Sequence, residues 1–155
     1  MKKNPIQIFI LSVAIPIVTG IISGIIAKQG MDYTSLVKPP LSPPGYLFPI
    51  VWTILYFLMG VSFFLIYRSY NYQKKKAMRL YWIQLFLNFW WSILFFTFHL
   101  RLLALLLLIV LIYVVIRMIM EFIKVNPLAG YLQIPYAIWL FFAAYLNLTI
   151  VFLNM

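Results

Sequence analysis

Three short sets of residues carry what chemistry this chain has. Trp52 and Tyr56 stand four apart, as do Asn88 and Ser92. Tyr136, Trp139, Ala143 and Asn147 follow one another at intervals of three, four and four. On helices, each set falls along one face. Trp91 and Phe95 extend the second set, Gln84 precedes it, and His99 follows Asn88 by three turns. Faces that combine indole, phenol, amide and a small residue suit stacking on a flat π-system and hydrogen bonding to its edge. They do not suit acid–base work. Asp32 and Glu121 are the whole carboxylate inventory, His99 is the only imidazole, and cysteine is absent. That inventory argues against a carboxylate dyad, a Ser-His-Asp triad and a metal site built from several protein ligands. Asn88 and Asn147 also fit a plainer role, as hydrogen-bond glue between helices.

The elements that must position these faces are membrane spans. The chain is 66% hydrophobic and 9% charged, against about 25% charged in soluble domains. Five apolar segments follow one another, at about 6–27, 47–67, 80–98, 102–120 and 129–153. Each is near the ~20 residues that cross hydrocarbon, and none alternates as a barrel strand does. The expected fold is a single domain, 1–155, an all-α bundle of five transmembrane helices. The first segment is long for a signal peptide and lacks a small-x-small cleavage site, so it is read as retained. Trp82 reads as an interfacial anchor. Trp90 and Trp91 point about 100° apart, so at most one faces the interior.

Charge sets the orientation. With five spans, Lys2, Lys3, Arg68, Lys74, Lys75, Lys76, Arg79, Arg117 and Lys124 share one side, and only Lys28, Lys38 and Arg101 lie on the other. The positive-inside rule puts the N-terminus inside and the C-terminus outside. The net charge of +10 is thus spent on topology and anionic headgroups. No basic face runs continuously across lipid-embedded helices, which excludes nucleic acid as a partner. Arg117 and Glu121, four apart, read as a local salt bridge.

The connection from Lys28 to Tyr46 is long for a bundle, and Pro39, Pro40, Pro43 and Pro44 stiffen it. Such a loop loses little entropy on ordering and suits a lid over Trp52 and Tyr56. Lys28, Lys38 and Arg101 would flank its mouth, where they could pair with carboxylates. Gly20 and Gly24 form a G-x-x-x-G face, for close packing within the chain or between two copies. No internal repeat is visible, which counts against an inverted-repeat transporter.

The runs K-P-P-L-S-P-P, P-I-V-W-T-I-L-Y-F-L-M-G, N-F-W-W-S and P-Y-A-I-W-L-F-F-A-A-Y-L-N resemble the translocator protein family, also called tryptophan-rich sensory proteins or peripheral-type benzodiazepine receptors. The resemblance spans almost the whole chain. It implies a five-helix receptor of the bacterial plasma membrane, commonly dimeric. Its expected ligands are protoporphyrin IX-like tetrapyrroles and isoquinoline carboxamide or benzodiazepine-type drugs, with no obligatory cofactor. By motif, Tyr33, Trp52, Asn88, Trp139, Ala143 and Asn147 match the family's ligand-binding positions, and the helical spacing adds Tyr56 and Trp91 to the expected ligand-binding set. Two alternatives stay open. One is light- and oxygen-dependent porphyrin degradation, with Trp52 and Trp139 as electron donors. The other is transport of tetrapyrroles or other lipophiles. One departure bears on sterols: no basic residue follows Tyr145, so the family's C-terminal sterol motif is missing. With His99 as sole imidazole, metal-free porphyrin is a better candidate than haem.

Overall fold

The computed structural model describes residues 3–30 and 33–155. Lys2 and Asp32, both used in the reading above, lie outside them. Helix α1 runs Pro5–Gln29, α2 Leu47–Arg68, α3 Lys74–Ser92 and α4 Arg101–Val125. The fifth span is divided into a short α5, Pro127–Tyr131, and α6, Ile134–Leu153. Among the described residues, five helical stretches are long and apolar enough to cross a membrane. In order of contact the helices form a ring: α1 on α2, α2 on α5, α5 and α6 on α4, α4 on α3, and α3 back on α1.

The helices outrun the apolar segments. Helix α3 begins at Lys74 instead of near residue 80, and α4 continues to Val125 instead of stopping near 120. Hydropathy marks where the chain enters hydrocarbon, but a helix continues through the interface. There Lys and Arg can lay their stems along apolar surface and keep their charges in water.

Helix ends follow from local chemistry. Asn4 caps α1, its side chain accepting from the Ile6 amide at 3.0 Å, and Pro5 opens the helix without an amide to satisfy. Asn126 does the same for α5, accepting from the amides of Leu128 and Ala129 at 3.1 and 3.4 Å. The break after α5 is stabilised by a buried amide. Gln133 Nε2 donates to Leu58 O at 3.2 Å and to Ser62 Oγ at 2.8 Å, and Ser62 Oγ donates to Ala129 O at 3.0 Å.

The far end from the α1–α2 loop carries the cationic cluster. The local Arg117–Glu121 bridge is not found. Buried Glu121 faces α3 and takes Lys76 at 3.2 Å and Lys124 at 3.1 Å. Arg117 turns outward and donates to Tyr113 Oη at 3.4 Å.

Apolar helices in lipid gain little from burying one another, so close packing has to hold them. Gly60 is where α2 meets α1. A Cβ there would stand 2.4 Å from Val13 Cα and 2.7 Å from Ser12 O, both backbone atoms that cannot step aside. Gly20 of the G-x-x-x-G face lies against the Tyr56 ring, whereas a Cβ on Gly24 would meet nothing within 4 Å. Gly60→Ala is expected to cost about 1–3 kcal/mol by forcing α1 and α2 apart. A thermal-unfolding midpoint in detergent equal to that of the parent would refute this contact.

Candidate functional site

The cage lies beneath the α1–α2 loop. Trp52, half-buried in the second turn of α2, is at its centre. Its ring centroid is 6.2 Å from Trp91 of α3, 6.5 Å from Trp139 of α6 and 5.5 Å from Tyr56. Trp91 stacks on Phe95 at 5.9 Å, and Phe48 meets Trp139 edge-on at 6.0 Å. From above, Tyr33 closes the cage, its ring edge-on to Phe48 at 5.4 Å. Ala143, Leu146, Asn147 and Ile150 complete the α6 wall. The rings fill one another's space, leaving a cavity of ≈ 20 Å³, about enough for one water.

Below the cage runs a hydrogen-bonded chain. Tyr56 Oη donates to Asn88 Oδ1 at 3.4 Å, and Asn88 Nδ2 donates to Tyr136 Oη at 3.0 Å. Tyr136 Oη donates to Gln84 Oε1 at 2.8 Å. All four side chains are buried, and they join α2, α3 and α6. Tyr56 and Asn88 therefore form the floor, out of contact with the cavity itself. Asn147 fixes a wall: its Oδ1 accepts from Trp91 Nε1 at 3.3 Å, and its Nδ2 donates to Arg101 O at 3.0 Å.

The α3 face is not the continuous stripe that spacing alone suggests. Gln84, Asn88, Trp91 and Phe95 are buried. Ser92 instead turns to α1, hydrogen-bonded to Ser23, and His99 is exposed beyond the helix end. A π-helical turn over Ile93–Thr97 carries His99 off that face; Ser92 precedes the turn, at the last position of α3. The Phe98 amide donates to Ile93 O at 3.1 Å and the Leu100 amide to Leu94 O at 3.0 Å. The wide turn rotates all later residues, and His99 takes a positive φ of 54°. Trp91 faces the cage and Trp90 faces outward, as their angular separation requires. The α1 terminus is seated on this turn. Thr97 Oγ1 donates to Ile26 O at 3.1 Å, and a Cβ on Gly30 would come within 2.5 Å of Phe96 O.

The loop over the cage is ordered by its own bonds. Tyr33 Oη donates to Pro43 O at 3.1 Å, and Ser42 Oγ to Pro39 O at 2.8 Å. Burial pushes the Tyr33 phenol above its usual pKa, against a smaller downward pull from Ser42, so it remains a donor near neutrality. The three cations flagged from sequence all gather at this end. Lys38 Nζ lies 4.3 Å over the Tyr33 ring, and the Arg101 guanidinium lies 5.8 Å from the Phe95 ring with Nη2 3.4 Å from His99 Nδ1. Lys28 is exposed in the last turn of α1. Among the described residues, no group of three or more His, Cys, Asp or Glu could hold a metal ion.

Residues 12–153 match the model of the TspO/MBR family. The chain belongs to this family. It is 38% identical over 125 residues to the tryptophan-rich protein TspO of Chlorobaculum tepidum, covering 79% of this chain and 78% of the relative. To the protein of the same name in Bacillus cereus it is 28% identical over 154 residues, 99% of each chain. To the translocator protein of Ovis aries it is 36% identical over 118 residues, 74% of this chain and 70% of the relative. With five spans and bacterial relatives of this kind, it is an integral membrane protein of the bacterial plasma membrane.

Sequence spacing pointed to Trp52, Trp91, Trp139, Ala143 and Asn147, and the family motif to Tyr33; the structure brings these six side chains to one place. Sequence reasoning missed Phe48, Phe96, Leu146 and Ile150 as lining residues. Phe48, four before Trp52, and Ile150, seven after Ala143, continue faces already identified, whereas Phe96 arrives through the π turn. The floor is the part most sensitive to one substitution. Asn88→Ala removes the partner of both Tyr56 and Tyr136 and is expected to cost about 1–2 kcal/mol. Thr53→Ala, at an exposed position of α2, should leave the unfolding midpoint in place. Equal midpoints for the two variants would show that the chain contributes nothing.

Proposed function

We propose that this protein is a membrane receptor or sensor for flat aromatic ligands, with porphyrins of the protoporphyrin IX type as principal ligand class. Isoquinoline carboxamide and benzodiazepine-type drugs are further occupants. The observation that carries the reading is the convergence of Trp52, Trp91 and Trp139 from three helices under a proline-stiffened loop. Indoles at 6–7 Å in tilted and edge-on arrangements already make the contacts that a flat π-system would take over. A ligand of that size needs a cavity of a few hundred Å³. It therefore has to displace rings and move the loop, exchanging ring–ring contacts for ring–ligand contacts.

Lys28, Lys38 and Arg101 supply the positive rim to which the propionates of a porphyrin would be drawn. The Tyr56–Asn88–Tyr136–Gln84 floor limits the depth to which a ligand can enter. No carboxylate among the described residues lines the cage, so recognition, not general acid–base catalysis, is the role that this side-chain set supports. On the charge bias, the loop and the C-terminus face outward. The protein is further proposed to work as a homodimer. The expected mass in native detergent solution is that of two chains, and a monomer would remove this part of the reading.

Quenching of tryptophan fluorescence by protoporphyrin IX tests the main assignment. Trp52→Phe and Trp139→Phe are each expected to weaken binding about tenfold, the loss of roughly 1.4 kcal/mol of ring contact. Titration curves of both variants that superimpose on the parent would overturn it.

A further inference from the structure

We propose that Tyr145 and Asn154 of α6 are the latch that holds the α1–α2 loop shut, and that access to the tryptophan cage is controlled by these two side chains. The identity of the entering ligand rests on the function proposed above; the latch itself does not depend on it.

The cage is closed and full, so something must open. Among the described residues, the loop is the one cover that is not a membrane helix, and α6 and its C-terminal cap grip it at two points. Asn154 Oδ1 accepts from the Val37 amide at 3.2 Å, and Asn154 Nδ2 donates to Val37 O at 3.0 Å. Tyr145 Oη donates to Pro40 O at 3.0 Å. The three bonds bracket Lys38 and Pro39, and buried Pro39 is thereby pressed onto the bundle. Neither Tyr145 nor Asn154 lines the cage. Asn154, just past the end of α6, is exposed, where water can compete for its bonds, so the grip is one that can be released from that end. Proline strengthens the geometry. Pro39 and Pro40 have no amides, so in this stretch only the Val37 and Lys38 amides are available to hold the backbone, and Asn154 takes the first.

The gripped loop is not at rest. Leu41, directly after the Tyr145 contact, has a φ of 70°, a left-handed conformation that a residue with a Cβ rarely adopts. Its side chain is 82% exposed, so burial does not offset the strain. The strain persists because both flanks are tied: Pro40 O to Tyr145, and the Ser42 amide and hydroxyl to Pro39 O at 3.3 and 2.8 Å. Release at Tyr145 lets Leu41 relax, and the stretch that lifts is the one carrying Lys38 away from Tyr33. The plug ring of Tyr33 then loses its cover.

The experiment needs no porphyrin. In the full chain in lipid nanodiscs, Trp82→Phe and Trp90→Phe remove the two outward-facing indoles and leave only Trp52, Trp91 and Trp139. On that background, Tyr145→Phe with Asn154→Ala is compared with the parent by amide hydrogen exchange and by acrylamide quenching. Exchange across residues 33–46, Val37 foremost, is expected to rise about tenfold, with the amides of α6 up to residue 150 unchanged. Quenching of the three caged indoles should rise about twofold in the same variant. Tyr145→Phe alone removes one hydroxyl, cannot unwind α6, and should give an intermediate rise in both. Loop exchange equal to the parent in the double variant overturns the latch. Faster loop exchange with unchanged quenching overturns it too, since the loop would then open without giving access. Failure of porphyrin to bind the parent would bear on the ligand assignment alone.

Discussion

Inside hydrocarbon, a polar side chain has no water to fall back on, and this constraint organises the molecule. Four such side chains, Tyr56, Asn88, Tyr136 and Gln84, are buried at the centre of the bundle and satisfy one another in sequence. The chain fixes the relative rotation of α2, α3 and α6, because a turn of any one of them by a residue would strand a hydroxyl or an amide. Rotation is what decides which way the tryptophans point. Trp52 precedes Tyr56 by one turn, Trp91 follows Asn88 by three residues, and Trp139 follows Tyr136 by three. Each indole is thus aimed by a hydrogen-bonding neighbour a turn below it. The polar floor and the aromatic cage are one arrangement, and the aromatic surface inherits its geometry from the floor.

Much of this could be read from residue types and spacing. The five spans follow from apolar runs of the right length, and the pairs at intervals of three and four place the indoles on inward faces. The position of Lys28, Lys38 and Arg101 at one end followed from counting spans. What could not be read was local backbone departure from a regular helix. Ile93–Thr97 is an ordinary apolar stretch with neither proline nor glycine, yet it forms a wide turn that releases His99 from the α3 face. The turn exists because α1 ends there, with Gly30 and Thr97 in contact. That is tertiary information, absent from a one-dimensional pattern. The Glu121 pairing fails for a similar reason. Sequence offers Arg117 on the same helix, but the carboxylate points at the neighbouring helix, where Lys76 stands.

The closed cage gives a physical account of how so many aromatic residues pack in one place. An apolar cavity of ligand size would forfeit dispersion contacts along its whole lining. Tilted and edge-on rings avoid that loss by filling the space themselves. They do so through rotamers that can change, unlike the backbone contact at Gly60, which cannot. The bundle therefore separates a rigid part from an adaptable one. Helix contacts at Gly60 and the buried hydrogen-bonded floor hold the frame, while rings of two or three torsions make up the site.

The loop belongs to the adaptable part, and its proline content determines how. A flexible loop of this length would explore many open states and be costly to close. Pro39, Pro40, Pro43 and Pro44 reduce the number of open states, so closure can be maintained by a few exposed hydrogen bonds. The same stiffness means that the loop moves as a piece, pivoting where the backbone is strained at Leu41, instead of fraying residue by residue. A stiff cover with few attachments exposes the cage in one step or not at all. That behaviour suits the ligand class proposed above, whose members are too large to enter through partial openings.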